Sequence, residues 1–209
     1  MELVNGPEHS DTLASRNNLA GSYRNLGRHE EVVEICEETL RIYERDLGPE
    51  HPLTLTSRSN VALSYADLGR YEEAVKINEE TLGIRERVSG PEHPDTLRNR
   101  NNLAGDYRDA GRIDEAVQLD QETLSMRERV LGPEHPDTLT SRHNLAVGYR
   151  ALLRNEEAVR LYEETLTNRD RVLGPEHPHT LMSRRNLAIC YRALGRDSEA
   201  DELERGLSS

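Results

Sequence analysis

The sequence predicts an all-α protein, an α-solenoid of five helix-turn-helix repeats. The first observation behind this is a recurring stretch, Gly132-Pro133-Glu134-His135-Pro136-Asp137-Thr138-Leu139, repeated unchanged as Gly90 to Leu97. It returns with small edits as Gly6 to Leu13 (Ser10 for Pro), Gly48 to Leu55 (Leu53 for Asp) and Gly174 to Leu181 (His179 for Asp). The starts at 6, 48, 90, 132 and 174 keep a strict period of 42 residues, the mark of stacked structural repeats. The second is helical periodicity between these stretches. The third is composition: 34% apolar and 32% charged residues, with no Phe or Trp, are too lean for one deep core. They suit a thin core shared between neighbouring repeats.

The chain therefore reads as one array over 1–209, in units of about 6–47, 48–89, 90–131, 132–173 and 174–209. In the third unit the first helix is expected from about Asp95 to Asp109 and the second from about Arg112 to Val130. Gly111 stops the first helix, matched by Gly27, Gly69 and Gly195, as a left-handed residue past a helix end does. Leu153 breaks that column, so the fourth turn is expected to be tighter packed or strained. Gly90 and Pro91 end the second helix. Pro94 then takes the first position of the next, with Asp95 favourably placed for the helix dipole.

At 100° per residue Arg100, Leu103, Ala104, Tyr107 and Ala110 share one side of the first helix. Their equivalents are Leu19, Ala20 and Tyr23; Val61, Ala62 and Tyr65; Leu145, Ala146 and Tyr149; and Leu187, Ala188 and Tyr191. The second helix buries Ala116, Val117, Leu119, Thr123 and Leu124. Small Ala at 62, 74, 104, 116, 146 and 158 lets helix axes approach closely. At the ends, Leu3 and Val4 align with the tail of a preceding second helix, as if the array were cut from something longer. Asp201 stands where other units have Val, and the last helix is expected to stop near Gly206; a terminal cap or a simple boundary accounts equally for both.

The run Asn102-Leu103-Ala104, Tyr107, Gly111-Arg112 and Glu115-Ala116 resembles the tetratricopeptide repeat (TPR), and the 42-residue period with its Gly-Pro-Glu-His-Pro linker resembles the kinesin-light-chain type. The resemblance covers essentially the whole chain. It implies a right-handed superhelix whose first helices line a concave groove for a peptide or partner helix, with groove polar residues bonding the ligand backbone. Two departures stand out. Arg16, Arg58, Arg100, Arg142 and Arg184 sit where the 34-residue form often has Trp, and Cys36, Asn78, Asp120 and Tyr162 sit where an aromatic is usual.

Opposite the Tyr face, each first helix presents a row. Its members begin with Ala14, Thr56, Arg98, Thr140 or Met182, then Asn18, Asn60, Asn102, Asn144 or Asn186. Gly21, Leu63, Gly105, Val147 or Ile189 follows, then Asn25, Asp67, Asp109, Ala151 or Ala193. Asn is a middling helix former, and its amide offers donor and acceptor to an extended peptide. The candidate partner-binding residues are Asn18, Asn60, Asn102, Asn144, Asn186, Arg98, Asp67, Asp109, His143, Val147, Arg185 and Ile189. The alternative for the asparagines is that each bonds the neighbouring unit and holds repeat spacing. The row is polar to acidic in units one to three and apolar with basic flanks, His143 and Arg185, in units four and five. Drift on a solvated face would give a similar picture.

Charge is sorted by element. The first helices are net positive, while the second helices and linkers carry the acidity behind the net charge of −12. Arg16, Arg58, Arg100, Arg142 and Arg184 are expected to pair with Glu31, Glu73, Glu115, Glu157 and Glu199. Arg24, Arg108, Arg150 and Arg192 border the row, as a solvated rim or as contacts for acidic ligand groups.

The acidic balance disfavours nucleic acid and anionic membranes as partners. No run is long enough to span a bilayer, and the N-terminus does not read as a signal peptide. Cys36 and Cys190, nearly four units apart, are not expected to form a disulfide, which suits a cytoplasmic location. One His per linker (His9, His51, His93, His135, His177) is too widely spaced for shared ligation, so no metal is expected and capping or bonding the linker is the expected role. No catalytic arrangement and no cofactor motif is present, so an enzyme is not expected. The expected function is a non-catalytic scaffold binding a peptide or protein along the groove. Alternatives are end-to-end self-association through open array ends, with Leu3 and Val4 as the apolar edge, and a sensor or recruitment domain of a larger bacterial signalling protein.

Overall fold

The computed structural model describes residues 10–205, without the side chains of 10–15, 17 and 18. The chain divides between Ala110 and Gly111 into two compact units. The first holds α1 (Ser10–Asn25), α2 (His29–Leu47), α3 (Pro52–Asp67), α4 (Tyr71–Ser89) and α5 (Pro94–Asp109). The second holds α6 (Ile113–Leu131), α7 (Pro136–Ala151), α8 (Asn155–Leu173), α9 (Pro178–Ala193) and α10 (Asp197–Arg205). Within each unit every helix packs on the next in sequence, and α3 also touches α5 directly. Among the described residues all regular structure is helical, and none of the helices is long and apolar enough to cross a membrane. Leu3, Val4, His9 and Gly206 lie outside the described residues.

The linker works as expected from its residues. Pro52, Pro94, Pro136 and Pro178 open their helices, where a missing N–H costs nothing. His51, His93, His135 and His177 are the N-caps: each Nδ1 accepts the backbone N–H two residues on, at 3.2 Å. Thr54, fully buried, ties the first of these turns together, its Oγ1 donating to Gly48 O at 2.8 Å.

The apolar faces close only between helices. Ala62, Ala74 and Ala104 in the first unit, and Ala116, Ala146, Ala158 and Ala188 in the second, have no exposed surface. Val61, Leu103, Leu145 and Leu187 are buried beside them, whereas Leu19 is exposed. The tyrosines bridge elements with their hydroxyls. Tyr107 donates to Glu79 and Tyr191 to Glu163, both at 2.7 Å. Burial and that carboxylate together push the Tyr191 phenol up to about 12.

The arginine pairing differs from the expectation. Glu31, Glu73, Glu115, Glu157 and Glu199 are taken by Arg28, Arg70, Arg112, Arg154 and Arg196, three residues earlier, at 2.6–2.9 Å through Nε. Four of these guanidiniums also lie 4.2–4.4 Å over Tyr23, Tyr65, Tyr149 and Tyr191. A partner one helical turn away, with a ring already beneath the cation, wins over one on another helix. Arg58, Arg100 and Arg142 instead reach the preceding second helix, to Glu44, Glu86 and Glu128 at 2.5 Å, and Arg184 reaches Asp170 at 3.3 Å. Arg16 pairs with Glu38 at 2.8 Å.

The turn after α7 shows what the glycine column does. Leu153 has φ +59°, the conformation of Gly27 at +72° and Gly69 at +74°. Arg154 N–H still reaches Tyr149 O at 2.9 Å, as Arg28 N–H reaches Tyr23 O at 3.0 Å. The turn is thus strained rather than tightly packed, since Leu153 is 81% exposed. A left-handed Cβ costs about 1–2 kcal/mol, and an exposed leucine recovers little of it. Leu153→Gly is expected to stabilise the fold by about 1 kcal/mol, raising the thermal midpoint by a few degrees. Differential scanning calorimetry checks this.

Candidate functional site

In the first unit the outward row of α3 and α5 carries Asn60, half-buried, and Asn102, exposed. Neither amide has a hydrogen bond among the described residues. The side chain of Asn18 lies outside those described. Asp67 is not free: Arg24 Nε donates to its Oδ2 at 2.6 Å. Arg98 is exposed and held by Asp95 at 2.7 Å. Asp109 is exposed, with no ion-pair partner among the described residues.

Between α3, α4 and α5 lies a cavity of about 400 Å³, reaching from Leu63, Ala66 and Asp67 to Asn102, Asp106 and Asp109. Asn78 and Asp106 in its lining belong to a buried polar relay. Asn99 Nδ2 donates to Asn78 Oδ1 at 2.8 Å, and Asn78 Nδ2 donates to Asp106 Oδ2 at 2.6 Å. Asp106 is only 8% exposed. Burial pushes its carboxyl up to about 6, against the bond from Asn78, and Asp109 adds to the rise. A second cavity of about 220 Å³ shares Leu63 and Asn102 with the first and reaches Thr56, Asn60, Arg85 and Arg98.

In the second unit Asn144 is half-buried, and its amide too has no hydrogen bond among the described residues. Asn186 behaves differently. Its Nδ2 meets His143 Nε2 at 3.4 Å and its Oδ1 accepts from Arg150 Nη1 at 3.5 Å, joining α9 to α7. His143 is not a groove flank, as the sequence suggested: it is 5% exposed, edge-on to Tyr162 at 5.2 Å. Its Nδ1 lies near Arg169 and Ser183. The Tyr162 ring gives His143 an apolar surface to bury against, and Arg169 and Ser183 meet its nitrogen there, so burial leaves the ring bonded. Val147 is half-buried against the core, while Arg185 and Ile189 are exposed, beside exposed Met182.

The bordering arginines are bonded inside their units. Besides Arg24 and Arg150, Arg192 pairs with Asp201 at 3.0 Å and with Glu204 on α10. Sequence reasoning missed Asn78, Asn99 and Asp106. The available signal was the repeat column Ser22, Ser64, Asp106, Gly148 and Cys190, where one member alone is charged. Cys36 and Cys190 are buried free thiols, both raised by burial. Among the described residues no three His, Cys, Asp or Glu side chains are placed to hold a metal ion.

The tetratricopeptide repeat profile matches residues 11–87, 57–128, 99–171 and 146–205. The chain is similar to the crystal structure of Podosopora anserina putative kinesin light chain nearly identical TPR-like repeats. The identity is 35%, over 96% of this chain and 95% of that one, with a TM-score of 0.82. It shares the fold of BtubC (BKLC) from P. vanneervenii, at 22% identity, 95% and 79% coverage and a TM-score of 0.82. It also shares the fold of Bacillus thuringiensis PlcR, solved in complex with the peptide PapR7 and DNA, at 16% identity, 99% and 71% coverage and a TM-score of 0.72. Comparison with curated proteins gave no match.

Two outcomes follow from this geometry. Asp106 has a folded pKa raised above its unfolded value, so the folded state loses stability as pH rises from about 4 to about 6. Asp106→Asn keeps an acceptor for Asn78 and removes that loss. Its midpoint should exceed the parent's by an increment that grows between pH 4 and pH 7, reaching about 2 kcal/mol in urea titrations. Asn186→Ala should cost about 1 kcal/mol through its lost bonds, whereas Asn102→Ala should stay within about 0.5 kcal/mol in the same assay.

Proposed function

The chain belongs to the tetratricopeptide repeat family, with repeats close to those of kinesin-light-chain-like proteins, and from that membership we propose that it is a non-catalytic protein-interaction module. Its ligand is an extended peptide or a partner segment laid along the outward row of the first helices within a unit. The observation that carries this is the fate of the asparagines. Asn60, Asn102 and Asn144 hold the same helical position in successive repeats, reach solvent, and bond nothing among the described residues. An amide kept in a helix interior without an internal partner is free to bond a ligand's N–H and C=O groups. Asn186, tied to His143 and Arg150, instead holds neighbouring helices in place. Exposed Met182 and Ile189 supply apolar contact in the second unit, and Arg98, Asp109 and Arg185 supply charge. PlcR, which shares the fold, was solved with a peptide and DNA, and its peptide supports the reading.

Selection of a displayed heptapeptide library on the intact chain tests this. Enriched peptides should bind the Asn102→Ala/Asn144→Ala double variant roughly tenfold more weakly, the loss of one or two ligand hydrogen bonds, while its thermal midpoint stays within a few degrees. Failure to enrich any peptide, or equal binding by the double variant, would overturn the reading.

A further inference from the structure

The repeat columns show how the 400 Å³ cavity of the first unit arises. Where α1 carries Arg24, whose guanidinium binds Asp67 on α3, the next first helix carries Ala66, and the residue in Asp67's place on α5 is Asp109. The column otherwise reads Arg24, Arg108, Arg150 and Arg192. The ion pair seen between α1 and α3 has thus kept its carboxylate and lost its cation one repeat later, and Ala66 lines the resulting space. A second carboxylate has been added beneath it. Asp106 stands where other repeats have Ser, Gly or Cys. It is more than nine-tenths buried, and among the described residues it has one partner, the neutral amide of Asn78 on Oδ2. Among the described residues no salt bridge reaches it; Arg108, on the same helix, does not line the cavity, and its pull on the carboxyl is weaker than burial, the Asn78 bond and the Asp109 charge.

We propose that this cavity receives one guanidinium group from the bound partner, which takes the place that Ala66 leaves vacant and pairs with Asp106 and Asp109. An uncompensated buried carboxylate is costly, and an incoming planar donor with several N–H groups offsets that cost better than water does. Tyr71, exposed at the cavity, offers a ring face to the same cation. A metal ion fits less well, because among the described residues no three His, Cys, Asp or Glu side chains are placed to hold one. The assignment rests on the docking role of the outward row, since Asn102 lines the same cavity.

Titration of the isotope-labelled full chain at low salt tests it, with side-chain amide NMR signals as readout. The probes are N-acetyl-arginine amide, N-acetyl-lysine amide, the neutral near-isostere N-acetyl-citrulline amide, and magnesium or calcium chloride. The arginine probe should give saturable shifts at Asn78 and Asn102, with citrulline binding at least roughly tenfold more weakly and lysine in between. Ala66→Arg should fill the cavity from within, abolish probe binding and raise the thermal midpoint. Asp106→Ser, the residue of two other repeats, should abolish binding without lowering the midpoint. Equal binding of citrulline, saturable shifts with the metal ions alone, or unchanged arginine binding by both variants would overturn the proposal. If arginine binds but no peptide is ever selected, the docking role fails and the cation site stands. If selected peptides lacking basic residues bind through Asn102 while the arginine probe does not, the reverse holds.

Discussion

No helix in this chain can bury its apolar face alone. Each first helix offers a stripe of one branched residue, one alanine and one tyrosine; α4, α6 and α8 offer an alanine and a valine with a leucine or isoleucine nearby, α2 has Val32 and Val33 in those places, and α10 keeps only Ala200. Such stripes are too narrow to make a core, yet wide enough to close against the next helix when alanines let the backbones approach. The alanines are accordingly among the most completely buried residues. The fixed period and the linker that reverses the chain follow from that requirement.

The second constraint is electrostatic. With so many charged side chains, the inner faces take in arginine, and in the second unit they give the guanidiniums of Arg127 and Arg169 several acceptors. Arg169, buried among Ser183 Oγ and the carbonyls of Leu139 and His179, is pulled down to about 10 by that burial yet bonded on both terminal nitrogens. Arg127 bonds Ser141 Oγ and the Asp137 carbonyl. In the same column Arg85 is as deeply buried, but Asn99 replaces the serine and turns its amide to Asn78, leaving Arg85 with Asp95 at 3.7 Å. A single exchange thereby redirects the polar interior of the first unit toward Asp106, which is how a packing layer comes to border a cavity.

The same positions serve different ends in the two units because neighbours differ. Asn102 has glycine and aspartate around it and stays open, whereas Asn186 meets His143 and Arg150 and is used up in packing. His143 is internal because Tyr162, in the column that holds Asn78 in the first unit, gives it a ring to lie against. Identical residues on equivalent helices are therefore not equivalent sites.

The sequence by itself determined the helix order, the turns, the capping linker and the alternation of packed and outward faces. These are local or periodic properties, repeated often enough that chance variation in one unit cannot hide them. Leu153 was legible as an exception for the same reason, standing in a column of glycines, while its exposure in the structure decided that the turn is strained and not tightly packed. Only the tertiary structure decided which arginine meets which carboxylate, which asparagines remain unbonded, and that Ala66, Asn78 and Asp106 share one cavity. Those outcomes depend on distances of a few ångströms between side chains on different helices, where several partners compete and burial tips the balance. A repeat period places such residues on the same layer; it does not say which of them touch.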